Sequence, residues 1–210
     1  VNKIYCANGA AERGLAYQQY HAHVEKISVV SASEFNKRSN VRDRVINYDP
    51  DLLFCRFGLI DKTIKKKIKN SKRLIELNKF DQLKWQSKFF DYGVLSILYS
   101  EMYYQDKVFD KIRYFYDCLR WRGFMGSSTG LFCILLAYLN NPEKNIIVSG
   151  IGIKTGGETF YGSNKLRTNR SNVDQKLFFY LKKKIKCKII STDKEMSEYC
   201  NVPLWDGDHI

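Results

Sequence analysis

The chain has 210 residues, 44% of them apolar and 14% aromatic, and carries a formal charge of +13. Such a length and composition exclude a disordered chain and suit one α/β domain with a buried core. The positive balance favours an anionic partner, which is a nucleic acid, an anionic lipid, or a phosphorylated or acidic sugar.

Lys3–Ala7 reads as the first strand, Asn8-Gly9-Ala10-Ala11 as a tight turn, and Glu12 to His23 as a helix. This is a phosphate-loop arrangement in outline, without G-x-G-x-x-G and without a Walker lysine. Ile27–Ala32 is a second strand, and Phe35 to Arg44 a polar, basic loop or short helix. Leu52–Phe57, introduced by Asp49-Pro50-Asp51, is a third strand, and Arg73–Leu77 a further one. Between them Lys62 to Lys72 holds six lysines in eleven residues, the composition of a solvated helix face. Phe80–Tyr92, Val94–Tyr104 and Lys107–Trp121 are aromatic and helical in spacing. In the last of these Val108, Ile112, Phe115, Tyr116 and Leu119 form a stripe, expected to face the core.

The stretch from Gly126 to Phe160 organises the rest. Gly126-Ser-Ser-Thr-Gly130 leads into an apolar run, Leu131–Leu139, which Asn140-Asn141-Pro142 stops. Ser127, Ser128 or Thr129 can cap that helix, and backbone N–H groups at such an end suit an anion. Ile146-Ile147-Val148 is then a short β-branched strand, followed at once by Ser149-Gly150-Ile151-Gly152. In open α/β sheets ligands sit beyond the carboxyl ends of strands, so the pairing marks a candidate ligand site. Tyr161 to Asn172 reads as a mobile polar loop, part of a lid over about 154–172. Val173–Lys184 is a helix, Lys186–Ile190 a strand and Lys194–Cys200 a last helix.

The six cysteines form no C-x-x-C pair and mostly lie inside apolar runs, which predicts buried free thiols in a reducing compartment. His21, His23 and His209 lack ligand spacing relative to them, which argues against structural zinc. Asp49-x-Asp51 and Asp206-x-Asp208 match the D-x-D pattern of metal-dependent transferases, but two acids so spaced are frequent by chance. No metal site is assigned. No apolar stretch reaches about 18 residues, and no signal-peptide pattern is present. The expected location is cytoplasmic, with peripheral contact to an anionic inner-membrane surface allowed by the basic face. The chain opens directly on a strand and ends soon after Trp205, the pattern of a trimmed sequence.

Three blocks together carry a resemblance. They are strand–Asn8-Gly9–helix, then Ser128-Thr129-Gly130 with its apolar helix running into Ile147-Val148-Ser149-Gly150-Ile151, then Arg170-Ser-Asn-Val-Asp174 leading helix, strand and helix. This order is similar to the bacterial lipooligosaccharide sialyltransferases of glycosyltransferase family 42. It also resembles related transferases that use other CMP-activated ulosonic acids, such as Kdo or pseudaminic acid. The three blocks cover roughly a third of the chain, and the middle block is the most specific.

The resemblance implies a single Rossmann-like α/β domain over 1–210, with a mostly parallel sheet flanked by helices and a small lid. It implies a CMP-sugar donor as substrate, a bacterial surface glycan (lipooligosaccharide or capsule) as acceptor, no required cofactor, and no nucleic acid. Magnesium is not indicated. By the same resemblance Asn8 and Gly9 approach the nucleotide, Ser128, Thr129 and Gly130 contact the donor, and Ser149, Gly150 and Ile151 lie near the cytidine. Family tyrosines that bind the donor phosphate fall just after that loop. Lys154 takes one such place here, and Tyr161 is near the other.

The chain departs from the family in two ways. No histidine lies between His23 and His209, whereas the family's base is a histidine shortly before an Asp-led helix. Gly152 stands where the family has an aspartate. Another base, a transfer of different stereochemistry, or an inactive chain would each account for this. The acidic candidates are Asp174 and Glu158.

Breaking a CMP–ulosonate bond passes through an oxocarbenium-like state and leaves a phosphate monoester anion beside a donor carboxylate. Backbone N–H groups, hydroxyls and cations stabilise that charge, which suits Lys154, Tyr161, Arg167 and Arg170. An inverting transfer also needs a base near the acceptor hydroxyl. Two other readings stay open: a basic module that binds nucleic acid through the lysine run, and another nucleotide-binding α/β enzyme such as a hydrolase.

Overall fold

Four short segments become parallel strands because each of the first three is followed by a segment long enough to cross back over the sheet. They are β1 (Lys3–Ala7), β2 (Glu25–Ser31), β3 (Leu52–Arg56) and β4 (Arg73–Glu76), in spatial order 1-2-3-4. Every residue of β3 is buried, as a strand covered on both faces should be. In the computed structural model the described residues are 2–10, 24–68, 73–90, 107–119, 127–151, 168–185 and 188–205. Two compact units divide the chain, residues 1–82 and 83–210.

In the first unit the register pairs Ala7 with Val29, Ser31 with Arg56 and Cys55 with Glu76. Helices α1 (Ala32–Lys37) and α2 (Ser39–Tyr48) fill the β2–β3 connection, so most of the span expected as loop or short helix is helical. Phe35, Val45 and Tyr48 from them are buried with Val30, Leu53 and Cys55. Helix α3 (Lys62–Lys65) is a single turn within the lysine run, and buries Ile64. Glu76 ties this end together, accepting the Ile60 N–H at 2.7 Å and the Lys65 ammonium at 2.6 Å.

Helix α4 (Lys79–Phe90) contains the boundary between the units. The second unit continues with α5 (Val108–Leu119), α6 (Thr129–Asn140), β5 (Ile146–Val148), α7 (Thr168–Lys184), β6 (Ile189–Ser191) and α8 (Lys194–Cys200). Strands β5 and β6 are parallel, and Leu204 adds a single bridge beside Ser191. Helix α6 is apolar all round and almost wholly buried, from Leu131 to Ala137. Phe178, Leu181, Met196 and Val202 are buried in the same unit, and the Trp85 ring lies 5.2 Å from that of Phe132.

Two expectations need correction. Helix α7 begins at Thr168, so the last five residues of the span expected as a loop are helical. The stripe of α5 was expected in the core, yet Val108, Ile112, Phe115, Tyr116 and Leu119 are exposed. The sequence period fixes which residues share a helix face but not which way that face turns. Among the described residues, no helix is long and apolar enough to cross a membrane.

Candidate functional site

The N-terminus of α6 is built by the small residues before it. Ser128 has extended backbone angles, and its Oγ accepts the Leu131 N–H at 3.1 Å, so it is the N-cap. The first-turn N–H groups of Thr129 and Gly130 have no acceptor within the helix and carry the positive end of its dipole. The Ser128 N–H itself donates to Asp174 Oδ1 at 2.8 Å, which brings a carboxylate from α7 to this turn.

The loop after β5 comes to the same place. A methyl group on Gly130 would lie 3.4 Å from Ile151 Cγ1, Cγ2 and Cδ1, so the small residue lets the loop approach the helix closely. Gly150 is held at φ +70°, the left-handed region that glycine enters without strain. Its N–H donates to Asp193 Oδ2 at 2.6 Å. Asp193 is fixed in turn, because its own N–H donates to Ser191 Oγ at 3.0 Å. Ser149 and Gly150 are exposed, Ile151 and Gly130 half-buried, and Thr129 buried.

A fourth element contributes Gln86, on α4. Its side chain is fully buried, and Oε1 accepts the Ser127 N–H at 3.4 Å. Its Nε2 has no acceptor among the described residues. Neither Gln86 nor Asp193 stood out in the sequence. Gln86 sits in an aromatic-rich helix with no motif around it, and Asp193 reads only as the residue before a helix.

Of the residues singled out from the sequence, Ser128, Thr129, Gly130, Ser149, Gly150, Ile151 and Asp174 are brought together. Arg170 lies in the first turn of α7, and its side chain is outside the described residues. Lys154, Glu158 and Tyr161 also lie outside them.

Asn8 and Gly9 belong to the first unit, in a single 3-10 turn at the carboxyl end of β1. Asn8 is left-handed at φ 49°, and its Oδ1 accepts the Ser31 N–H at 3.3 Å. Gly9 is buried. Ser31 is in register with Arg56, a fully buried arginine whose guanidinium carbon stands 4.2 Å above the Phe57 ring. A charged residue inside the apolar run Leu52–Phe57 is a signal visible in the sequence.

The first D-x-D pair has structural duties. Asp51 Oδ2 accepts the Lys26 N–H at 3.0 Å, and Asp49 ends α2 in the left-handed conformation. Asp206 and Asp208 are outside the described residues. Among the described residues, no group of three or more His, Cys, Asp or Glu side chains is placed to hold a metal ion.

Cys6, Cys55, Cys133 and Cys200 are buried thiols that form no disulfide. Burial pushes the Cys6 and Cys200 thiols up to about 11 and Cys55 up to about 12, so they are poor nucleophiles near neutral pH.

No family model, curated protein or solved structure matches the chain. Function must therefore be read from the site itself. The N-terminus of α6 has donors for an anion. The glycine-bearing loop after β5 gives a ligand close access to backbone. Each has its own fixed carboxylate, Asp174 at the helix end and Asp193 at the loop.

Proposed function

We propose that the chain is a glycosyltransferase that moves an ulosonic acid (sialic acid, Kdo or a relative) from a CMP-activated donor to a bacterial surface glycan. The observation that carries the reading is the approach of Gly130 to Ile151. It joins the two loops that the resemblance assigns to the donor, with Asp174 on the Ser128 N–H beside them.

In this reading the first-turn N–H groups of α6 and the Thr129 hydroxyl bind the donor phosphate. The loop Ser149–Ile151 receives the cytidine. Lys154, Tyr161 and Arg170 stabilise charge as CMP leaves. Asp174 takes the proton of the acceptor hydroxyl, with Glu158 as the other acidic candidate. One Rossmann-like domain over 1–210, a lid over the residues before α7, and a cytoplasmic location with peripheral membrane contact complete the proposal. No cofactor is required.

The test is release of CMP from CMP-sialic acid, CMP-Kdo and CMP-pseudaminic acid, each with and without a lipooligosaccharide acceptor. Acceptor-dependent release with one donor, lost in Asp174→Asn, supports the reading. Absence of release from all three, together with salt-sensitive binding to RNA or DNA, favours a nucleic-acid-binding module acting through the Lys62–Lys72 run.

A further inference from the structure

Helix α5 turns its apolar face outward. Val108, Ile112, Phe115 and Leu119 recur at i, i+4, i+7 and i+11, which places them on one side, with Phe109 and Tyr116 next to them. Exposure is 87% for Phe109, 68% for Val108, 61% for Ile112, 55% for Leu119, 51% for Tyr116 and 43% for Phe115. The opposite side carries Asp110 and Tyr114, which are half-buried. Six large apolar residues exposed along one helix form a patch of the kind that marks an interaction site.

The cations on this helix lie where they matter. At about 100° per residue, Lys111 falls on the border beside Phe115, and Arg113 on the border beside Phe109. Both are exposed, as is Lys107 just before the helix. The two acids of the helix, Asp110 and Asp117, fall by the same period on the side away from the apolar face. An apolar stripe with a cation on each border matches the boundary between acyl chains and anionic headgroups. There the stems of Lys and Arg lie along the apolar surface while their charged ends reach the phosphates. A second copy of this chain fits less well. It would bring the same cations together on a protein already at +13.

We propose that α5 seats the protein on an anionic lipid surface, with Phe109, Ile112 and Leu119 in the acyl boundary and Lys111 and Arg113 at the headgroups. The inference rests on the peripheral membrane contact in the proposed function and names its surface, but its residues are not those of the CMP-sugar site, so either can fail without the other.

Flotation of the full chain with lipid vesicles tests it. One set is neutral phosphatidylcholine, and in the other about one third of the lipid is phosphatidylglycerol. The native chain floats with the anionic vesicles and stays behind with the neutral ones. Phe109→Asp with Ile112→Asp lowers binding about tenfold or more, at unchanged melting temperature because both side chains are exposed. Lys111→Glu with Arg113→Glu lowers it by at least about fivefold per charge at low salt, and by less at high salt. This second pair carries the test if the first variant melts early. Equal flotation with both vesicle types overturns the proposal, as does native-like binding by a folded double variant. Conversion of a native dimer to a monomer by the apolar variant, with lipid binding retained, also overturns it and makes this face a protein interface.

Discussion

The Asp174 carboxylate accepts the backbone N–H of Ser128 at 2.8 Å, tying α7 to the first residue before α6. The bond satisfies a donor that the helix cannot, and it sets a negative charge at the positive end of the helix dipole. Asp174→Ala should therefore cost about 1–2 kcal/mol in urea unfolding. Asp174→Asn keeps an acceptor and should cost less. If the site binds the donor phosphate, Asp174→Asn should also bind CMP more tightly than the native chain while transfer is lost. Weaker CMP binding at full stability would argue that the carboxylate does not face the anion.

Ser128 contributes twice, through its N–H and through the Oγ bond to the Leu131 N–H. Only the second depends on the side chain. Ser128→Ala should lower stability by about 1 kcal/mol, and Ser128→Gly by a few tenths. Thermal or urea unfolding of the two variants checks this ordering.

Gly130 and Gly150 separate stability from ligand approach. Gly150 is left-handed, and an added Cβ would meet nothing within 4 Å. Gly150→Ala should thus lose roughly 1–2 kcal/mol from backbone strain alone. Gly130 is in the first turn of α6, where alanine is about 1 kcal/mol better than glycine, offset by the 3.4 Å contact with Ile151. Gly130→Ala should be close to neutral in unfolding, yet narrow the approach between loop and helix and weaken CMP binding.

The buried thiols set an alkaline limit on stability. In the unfolded chain they ionise near 9.0, whereas burial holds Cys6 and Cys200 to about 11 and Cys55 to about 12. Between those values the folded state keeps protons that the unfolded state has lost, so stability falls as pH rises. The contribution is complete below pH 9.0 and lost as pH passes through about 11 to 12. Urea midpoints followed from about pH 8 to about pH 11 should fall steadily, and Cys55→Ala should flatten that slope. A midpoint independent of pH would mean that the thiols are open to solvent.

Much of the fold was readable because short β-branched and apolar runs bounded by turn residues leave few alternatives. Ile146–Val148 and Lys194–Cys200 form the expected elements within those bounds. The Ser128 cap was readable for the same reason, since a small hydroxyl residue before an apolar helix has one common use. The tertiary partners were not readable. Nothing in the residues around Asp193 announces a bond to Gly150, 43 positions away. Nor does a helical period say that Phe109 and Ile112 turn outward, because the same stripe packs equally well inward. Buried Gln86 sits among aromatic neighbours that read as core, and only its charge sets buried Arg56 apart from its apolar run.

The most direct measurement is a thermal-shift titration with CMP, CDP, UDP and GDP, with and without Mg²⁺, at fixed ionic strength. A ligand that binds only the folded chain raises its melting temperature by mass action. The account predicts selective, metal-independent stabilisation by CMP, lost in Thr129→Val and weakened in Gly130→Ala. Equal response to all four nucleotides, or none to cytidine nucleotides, would contradict it.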